Sequence, residues 1–147
     1  MNALDILRSD HQRIRDLFVA LREADSVAEK RDLYETIRDE LERHTELEEE
    51  GFYPAFQDGF GDDIADIVSD ALEDHQEMRD ILNDIEDAGD DEDLVDLMEE
   101  LMDLVDSHIQ DEESVLFDEL LETVEESQLE AIGQRLQELK KSTPRAA

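Results

Sequence analysis

Apolar residues recur along this chain at alternating steps of three and four. The first stripe runs Leu4, Leu7, Ile14, Phe18, Leu21, with His11 at the one step that a histidine fills. That spacing keeps every member on one helical face and predicts a helix over about 3–24. A second helix opens at Ser26, where Ser26-x-x-Glu29 reads as a capping box. Its stripe is Leu33, Ile37, Leu41, His44, Glu48, Phe52, Ala55, and it ends just past Pro54, before Gly59 and Gly61. A third, over about 62–88, carries Ile64, Val68, Ala71, His75, Met78, Leu82, Ile85. A fourth, over about 91–123, carries Leu94, Leu97 or Met98, Leu101, Leu104 or Val105, His108, Glu112, Val115 or Leu116, Leu120. A short last helix follows a second capping box, Ser127-x-x-Glu130, with Leu129, Ile132, Leu136, Leu139 as its apolar face. The tail from Lys140 to Ala147 is expected to fray.

No stretch alternates with the period of a strand. Four long helices with short connections predict an all-α fold, an antiparallel up-down-up-down four-helix bundle over residues 1–124, with the fifth helix and tail over 125–147. The fifth helix could lie on the bundle's side or end, or pair with another subunit.

The pattern also repeats. Displaced by 64 residues, Asp10-His11-Gln12 falls on Asp74-His75-Gln76, Arg15-Asp16 on Arg79-Asp80, His44 on His108, and Glu48-Glu49 on Glu112-Glu113. Each half, about 3–58 and 61–123, is thus a helical hairpin of one layout. Two such hairpins about a pseudo-twofold axis give a bundle with a nearly symmetric interior.

Charge changes the picture of the surroundings. The 147 residues hold 46 Asp+Glu against 13 Lys+Arg, a formal net charge of -33, with 39% hydrophobic residues. Self-repulsion on this scale disfavours a compact state at low salt. The regular apolar spacing still argues for a folded chain, and the pairing of the two predicts a salt-rich cytoplasm. A strongly negative surface excludes nucleic acid and anionic membranes as expected partners. The absence of cysteine removes disulfides, thiolate metal sites and thiol nucleophiles. No apolar run has the length of a membrane span or of a signal-peptide core, so a soluble, cytoplasmic protein is expected.

Every histidine of the chain lies on an apolar stripe, one per long helix. His44 and Glu48, like His108 and Glu112, are four apart and share a helical face. Glu49 and Glu113, five residues on, rotate away from the stripe. Four imidazoles and two carboxylates are therefore expected to point into one interior. A lone core histidine usually just satisfies a backbone carbonyl. A glutamate on a core stripe requires a charged or donor partner. Six such residues with repeated spacing point instead to His11, His44, Glu48, His75, His108 and Glu112 as ligands of two divalent cations. Nitrogen and oxygen donors without thiolate favour iron or manganese over zinc. Such ligands must be deprotonated, so binding should fail as pH drops through the histidine range. Glu-x-x-His carboxylate di-iron proteins are excluded, because Arg8, Leu41, Leu72 and Val105 stand three residues before the histidines.

The segments DHQ, HTELEEEGFYP, DHQ and HIQDEESVLF, spread over residues 10–120, resemble the hemerythrin-like HHE cation-binding family. The resemblance implies a four-helix bundle holding an oxo- or hydroxo-bridged pair of iron ions. It implies His11, His44, His75 and His108 as terminal ligands and Glu48 and Glu112 as bridging carboxylates. It implies dioxygen, peroxide or nitric oxide as what the centre binds or reacts with. Oxygen carriers of this kind have a fifth histidine where this chain has Arg79, which stays protonated and is a poor ligand. They also place the second carboxylate five residues after its histidine. Glu113 would take that role only in a locally distorted helix, so Glu112 is the assigned residue. Asp118 stands where the family often has proline, which lets the fourth helix continue. Monomer and homo-oligomer both stay open. A sensor or iron buffer without turnover is the alternative function.

Four further readings concern neighbours of the site. Arg15 and Arg79 are either exposed among acids, or pair with Glu49 and Glu113, or gate an opening to the metals. Phe18, Phe52, Tyr53 and Phe117 either fill the core or wall a dry pocket beside the metals. Tyr53 is a candidate donor to a metal-bound ligand or to the bridge. The acids over 87–96 are expected to be solvated surface.

Overall fold

The computed structural model describes residues 1–89 and 92–142. Helix α1 (Ala3–Glu23) is started by Asn2, whose side chain accepts from Asp5 N–H while Asp5 returns a bond to Asn2 N–H. Helix α2 (Val27–Leu47) is capped by Ser26, whose Oγ accepts from Glu29 N–H. Glu29 reaches back to Asp25 rather than to Ser26, so only half of the expected box forms. Helix α3 (Asp62–Asp87) follows a turn in which Gly59 and Gly61 take φ of 92° and 100°, a region open to glycine. Helix α4 (Glu92–Asp111) returns alongside α3. Asp91, the expected start of that helix, and the tail beyond Ser142 lie outside the described residues, as does Asp90 within the acidic run.

The second and fourth long helices are not regular. After Leu47 the backbone passes through a π-helical turn, Glu48–Phe52, then a single 3₁₀ turn, Tyr53–Ala55. After Asp111 a second π-helical turn, Glu112–Leu116, leads into α5 (Phe117–Thr123), so the fourth helix does continue past Asp118. The two π turns begin at Glu48 and Glu112, which are 64 residues apart, so the repeat extends to the backbone distortion.

Helices α1 with α2 and α3 with α4 form the two hairpins of an all-helical bundle. Buried apolar residues fall into two clusters. One contains Leu4, Leu7, Phe52, Val68, Leu116 and Leu120; the other contains Ile14, Phe18, Ile37, Leu82, Met98 and Val105. On α1, α2 and α3 the histidine sits between the part feeding one cluster and the part feeding the other, and on α4 only Ile109 of the second cluster lies past His108. Tyr34, not on the expected stripe, is buried beside Leu33 and donates to Leu82 O. Val115 is exposed and Leu116 buried, which settles that pair.

Helix α6 (Glu126–Ser142) starts before the expected Ser127 cap. Glu125 N–H donates to the Gln128 side chain, and Ser127 lies inside the first turn. The helix packs against α1 and the first π turn, with Leu129 and Leu136 joining the first apolar cluster. No helix among the described residues is long and apolar enough to cross a membrane.

Candidate metal centre

Between the two apolar clusters lies a polar layer made of His11 from α1, His44 from α2, His75 from α3, His108 from α4, and Glu48 and Glu112 from the π turns. All six are buried. All six predicted side chains are brought together. Ligand-type atoms of His11, His44, Glu48 and Glu112 lie within 4.8 Å of one another, and so do those of Glu48, His75 and His108. The Nε2 atoms of His11 and His44 are 3.1 Å apart. Glu48 Oε1 is 3.1 Å from His44 Nε2 and 3.2 Å from His75 Nε2. Glu112 Oε1 is 3.3 Å from His11 Nε2, and Glu112 Oε2 is 3.3 Å from His108 Nε2.

These contacts are close but poorly directed. Both oxygens of Glu48, Glu112 Oε1 and His108 Nε2 are buried without a hydrogen-bond partner. Orphaned groups of this kind each cost a few kcal/mol in a dry interior. No lysine or arginine is buried among the described residues to compensate them. Two atoms bound about 2.1 Å from one ion at a right angle stand about 3 Å apart, the spacing found here. The donor set therefore fits divalent cations: the atoms converge on shared points rather than on each other.

An outer ring orients the histidines. Asp10 Oδ2 is 3.1 Å from His44 Nδ1, and Asp74 Oδ2 is 3.0 Å from His108 Nδ1. Glu49 Oε2 is 2.9 Å from His75 Nδ1, and Glu113 Oε2 is 2.6 Å from His11 Nδ1. Each imidazole thus donates Nδ1–H to a carboxylate and turns Nε2 to the interior. The sequence carries this signal in the 64-residue repeat of Asp10 and Asp74, the acids of the two DHQ segments. Glu49 and Glu113 do leave the innermost layer, as expected, yet they remain attached to it through the histidines. Arg79 pairs with Glu49, whereas the ion pair of Arg15 is to Asp106 at 3.5 Å.

The π turns bring in a residue that simple periodicity could only suggest. Tyr53 N–H bonds to Glu48 O, five residues back. The wider turn swings Tyr53 inward over the layer, where an α-helix would carry it away. Its hydroxyl donates to Glu112 Oε2 at 2.5 Å and lies 3.4 Å from His75 Nε2. Phe117 takes the equivalent place after Glu112 and stacks on His11, with ring centroids 6.2 Å apart. Phe52 and Phe117 wall this side of the layer, while Phe18 belongs to the opposite cluster.

Charge is shared across the layer. Burial disfavours the imidazolium of His44, but the charge of Glu48 and the bond to Asp10 outweigh it and lift His44 to about 10. Burial likewise opposes charge on His108, and the bond to Asp74 with the charges of Glu112 and Glu48 raises it to about 10. His11 is raised against its burial by Glu112 and Glu113. Burial would push Glu48 up, yet His44 and neighbouring donors hold it well below the usual carboxylate range. Burial, then Glu112 and Glu48, drive the Tyr53 phenol well above its ordinary value, so it stays a donor. Without a cation, protons take its place.

Two cavities reach the layer. One of about 430 Å³ lies between α2 and α3, with His75, Arg79 and Glu49 in its wall. The other, about 310 Å³, lies between α3 and the second π turn and touches His108 and Glu112.

Residues 2–120 match the family model of the hemerythrin HHE cation-binding domain, and residues 66–145 match it in an overlapping alignment. The fold is similar to the crystal structure of a hemerythrin HHE cation-binding domain-containing protein from Mycobacterium kansasii. That likeness has a TM-score of 0.80 at 21% identity and covers 97% of this chain and 89% of the other. No curated protein matches the sequence.

Proposed function

The chain belongs to the hemerythrin HHE cation-binding domain family, and from that premise we propose a two-cation centre that binds or reacts with dioxygen, peroxide or nitric oxide. Iron is the proposed metal, with manganese as the alternative. His11 and His44 would hold one ion and His75 and His108 the other, with Glu48 and Glu112 as the carboxylates that would serve both. The observation that carries this reading is the buried layer of Nε2 and carboxylate atoms, four of which have no hydrogen-bond partner.

When bound, such a pair of ions supplies electrons and open coordination positions to a small diatomic or peroxide. The chain does the rest. Asp10, Glu49, Asp74 and Glu113 fix the imidazole tautomers. Phe52 and Phe117 exclude water from one side. Tyr53 keeps a proton at Oη beside Glu112, where it orients that carboxylate and can donate to a ligand arriving next to it. Arg79 replaces the additional histidine of oxygen carriers, which leaves one ion with fewer protein donors. That arrangement favours reaction with peroxide or nitric oxide over reversible oxygen carriage.

The test is metal analysis and spectroscopy on protein loaded anaerobically with ferrous iron in high salt. Two irons per chain and near-ultraviolet absorbance that shifts with azide or peroxide are expected. His44→Ala and Glu48→Ala should lower the iron content. A chain that takes up no iron, or whose content ignores Glu48→Ala, sinks the proposal. The reading as a sensor or buffer is favoured by one contact, that of Lys140 on α6 with Asp10. It predicts the same iron uptake with no peroxide consumption.

A further inference from the structure

The pseudo-twofold of the bundle is broken by one element, α6. It lies on the first hairpin and reaches the outer ring there. Lys140 Nζ is 2.5 Å from Asp10 Oδ1, and the other oxygen of Asp10 is the one on His44 Nδ1. Farther along, Leu136 and Leu139 close over Gly51 in the π turn that carries Glu48. A Cβ on Gly51 would stand 2.7 Å from a terminal methyl of each leucine, so the two side chains lie directly on the backbone of the turn. Gly133 seats the same helix against the start of α1, where a Cβ would lie 2.6 Å from Met1 O. Thus α6 presses on a partner of His44 and on the backbone of the π turn at Gly51 together.

The second hairpin has no such cover. Sixty-four residues on, Asp10 becomes Asp74, whose side chain is 33% exposed against 8% for Asp10. No cation is bonded to Asp74 among the described residues. Gly51 becomes Val115, which is 45% exposed. The groove of about 310 Å³ beside Asp74, His108 and Val115 occupies the place that α6 fills in the first hairpin. The other cavity, between the hairpins, reaches His75.

We infer that the two cation positions are inequivalent: α6 braces the His11–His44 position, and the His75–His108 position exchanges its ion first. Lys140 is a positioning residue for the braced half. It holds Asp10 still, and Asp10 holds His44. A solvated carboxylate such as Asp74 gives up its hold on an imidazole more readily, because water offers it other donors. The groove also lets water and a competing chelator approach His108.

This inference rests on the two-cation reading above, and one experiment separates their failures. Full-length protein loaded anaerobically with ferrous iron is mixed with excess ferrozine, and iron release is followed by absorbance. Two phases of equal amplitude are expected. Lys140→Met should speed the slow phase by about tenfold, the usual cost of losing an outer partner, and leave the fast phase unchanged. Lys140→Arg should restore the slow phase. Val115→Trp, which fills the open groove, should slow the fast phase alone. Circular dichroism checks that α6 stays helical in each variant. Two bound ions leaving in one phase, or a Lys140→Met effect on the fast phase or on neither, overturns the inference. Fewer than two bound ions overturns the underlying reading and the inference with it.

Discussion

Protons and cations compete for the same buried layer, and the competition can be measured. In metal-free protein His44 and His108 titrate near 10 rather than at the ordinary 6.5. At pH 7.5 both therefore carry their protons almost completely. Ligation requires the neutral ring, so loading two divalent ions must expel about two protons from these histidines, with a further contribution from His11. Each displaced proton steepens the apparent affinity by about tenfold per pH unit, so two give about a hundredfold. Isothermal titration with manganous ion at pH 7.5, in buffers of different ionisation enthalpy, counts the protons directly.

Metal-free stability must run the other way. A histidine raised by its partners contributes fully below its unfolded value of 6.5 and loses that contribution as pH climbs to about 10. At about 1.4 kcal/mol per pH unit, each is worth at most on the order of 5 kcal/mol. Glu48, held low, contributes above its unfolded 4.5 and loses its share as pH falls. These are the same contacts counted from both ends, so they are not summed. The centre therefore favours metal-free protein most between about pH 4.5 and 6.5. Thermal melts should fall from pH 7 to 9 without metal and stay nearly level over that range with it, because the loaded and the unfolded imidazoles are then both neutral. A proton count below one at pH 7.5, or a metal-free melting temperature that rises from pH 7 to 9, refutes the reasoning.

Other outcomes follow from single contacts. Tyr53→Phe removes the donor to Glu112 Oε2 and should cost metal-free protein about 1–3 kcal/mol in urea unfolding, with the iron content unchanged at two. Gly133→Ala places a methyl group against Met1 O and should cost about 1–3 kcal/mol, read as a lower urea midpoint, because backbone rather than a flexible side chain must move. Raising salt from 0.1 to 1 M shortens the Debye length from about 10 to about 3 Å, so a chain of net charge -33 should melt at a higher temperature; a melting temperature indifferent to salt would contradict the self-repulsion argument.

Much of the molecule was legible in the sequence because it depends on period and identity alone. Steps of three and four define the helical faces whatever they pack against, and a histidine on each face, with Glu48 and Glu112 one turn on, follows from 3.6 residues per turn. The 64-residue repeat made those six residues a set before any coordinates did. Other features depend on what lies across the interface. Period counting assumes one turn geometry, and the π turns at Glu48 and Glu112 break it, so the seating of Tyr53 on Glu112 and of Phe117 on His11 is decided only in three dimensions. The pairing of Glu49 with His75, and of Glu113 with His11, joins residues from different helices, and no local pattern encodes such a bond. The asymmetry of the centre is tertiary in the same way. The sequence placed a fifth helix at the end of the chain. Packing alone set Lys140 on Asp10 and left Asp74 half-open to water, because a helix can cover only one of two equivalent seats.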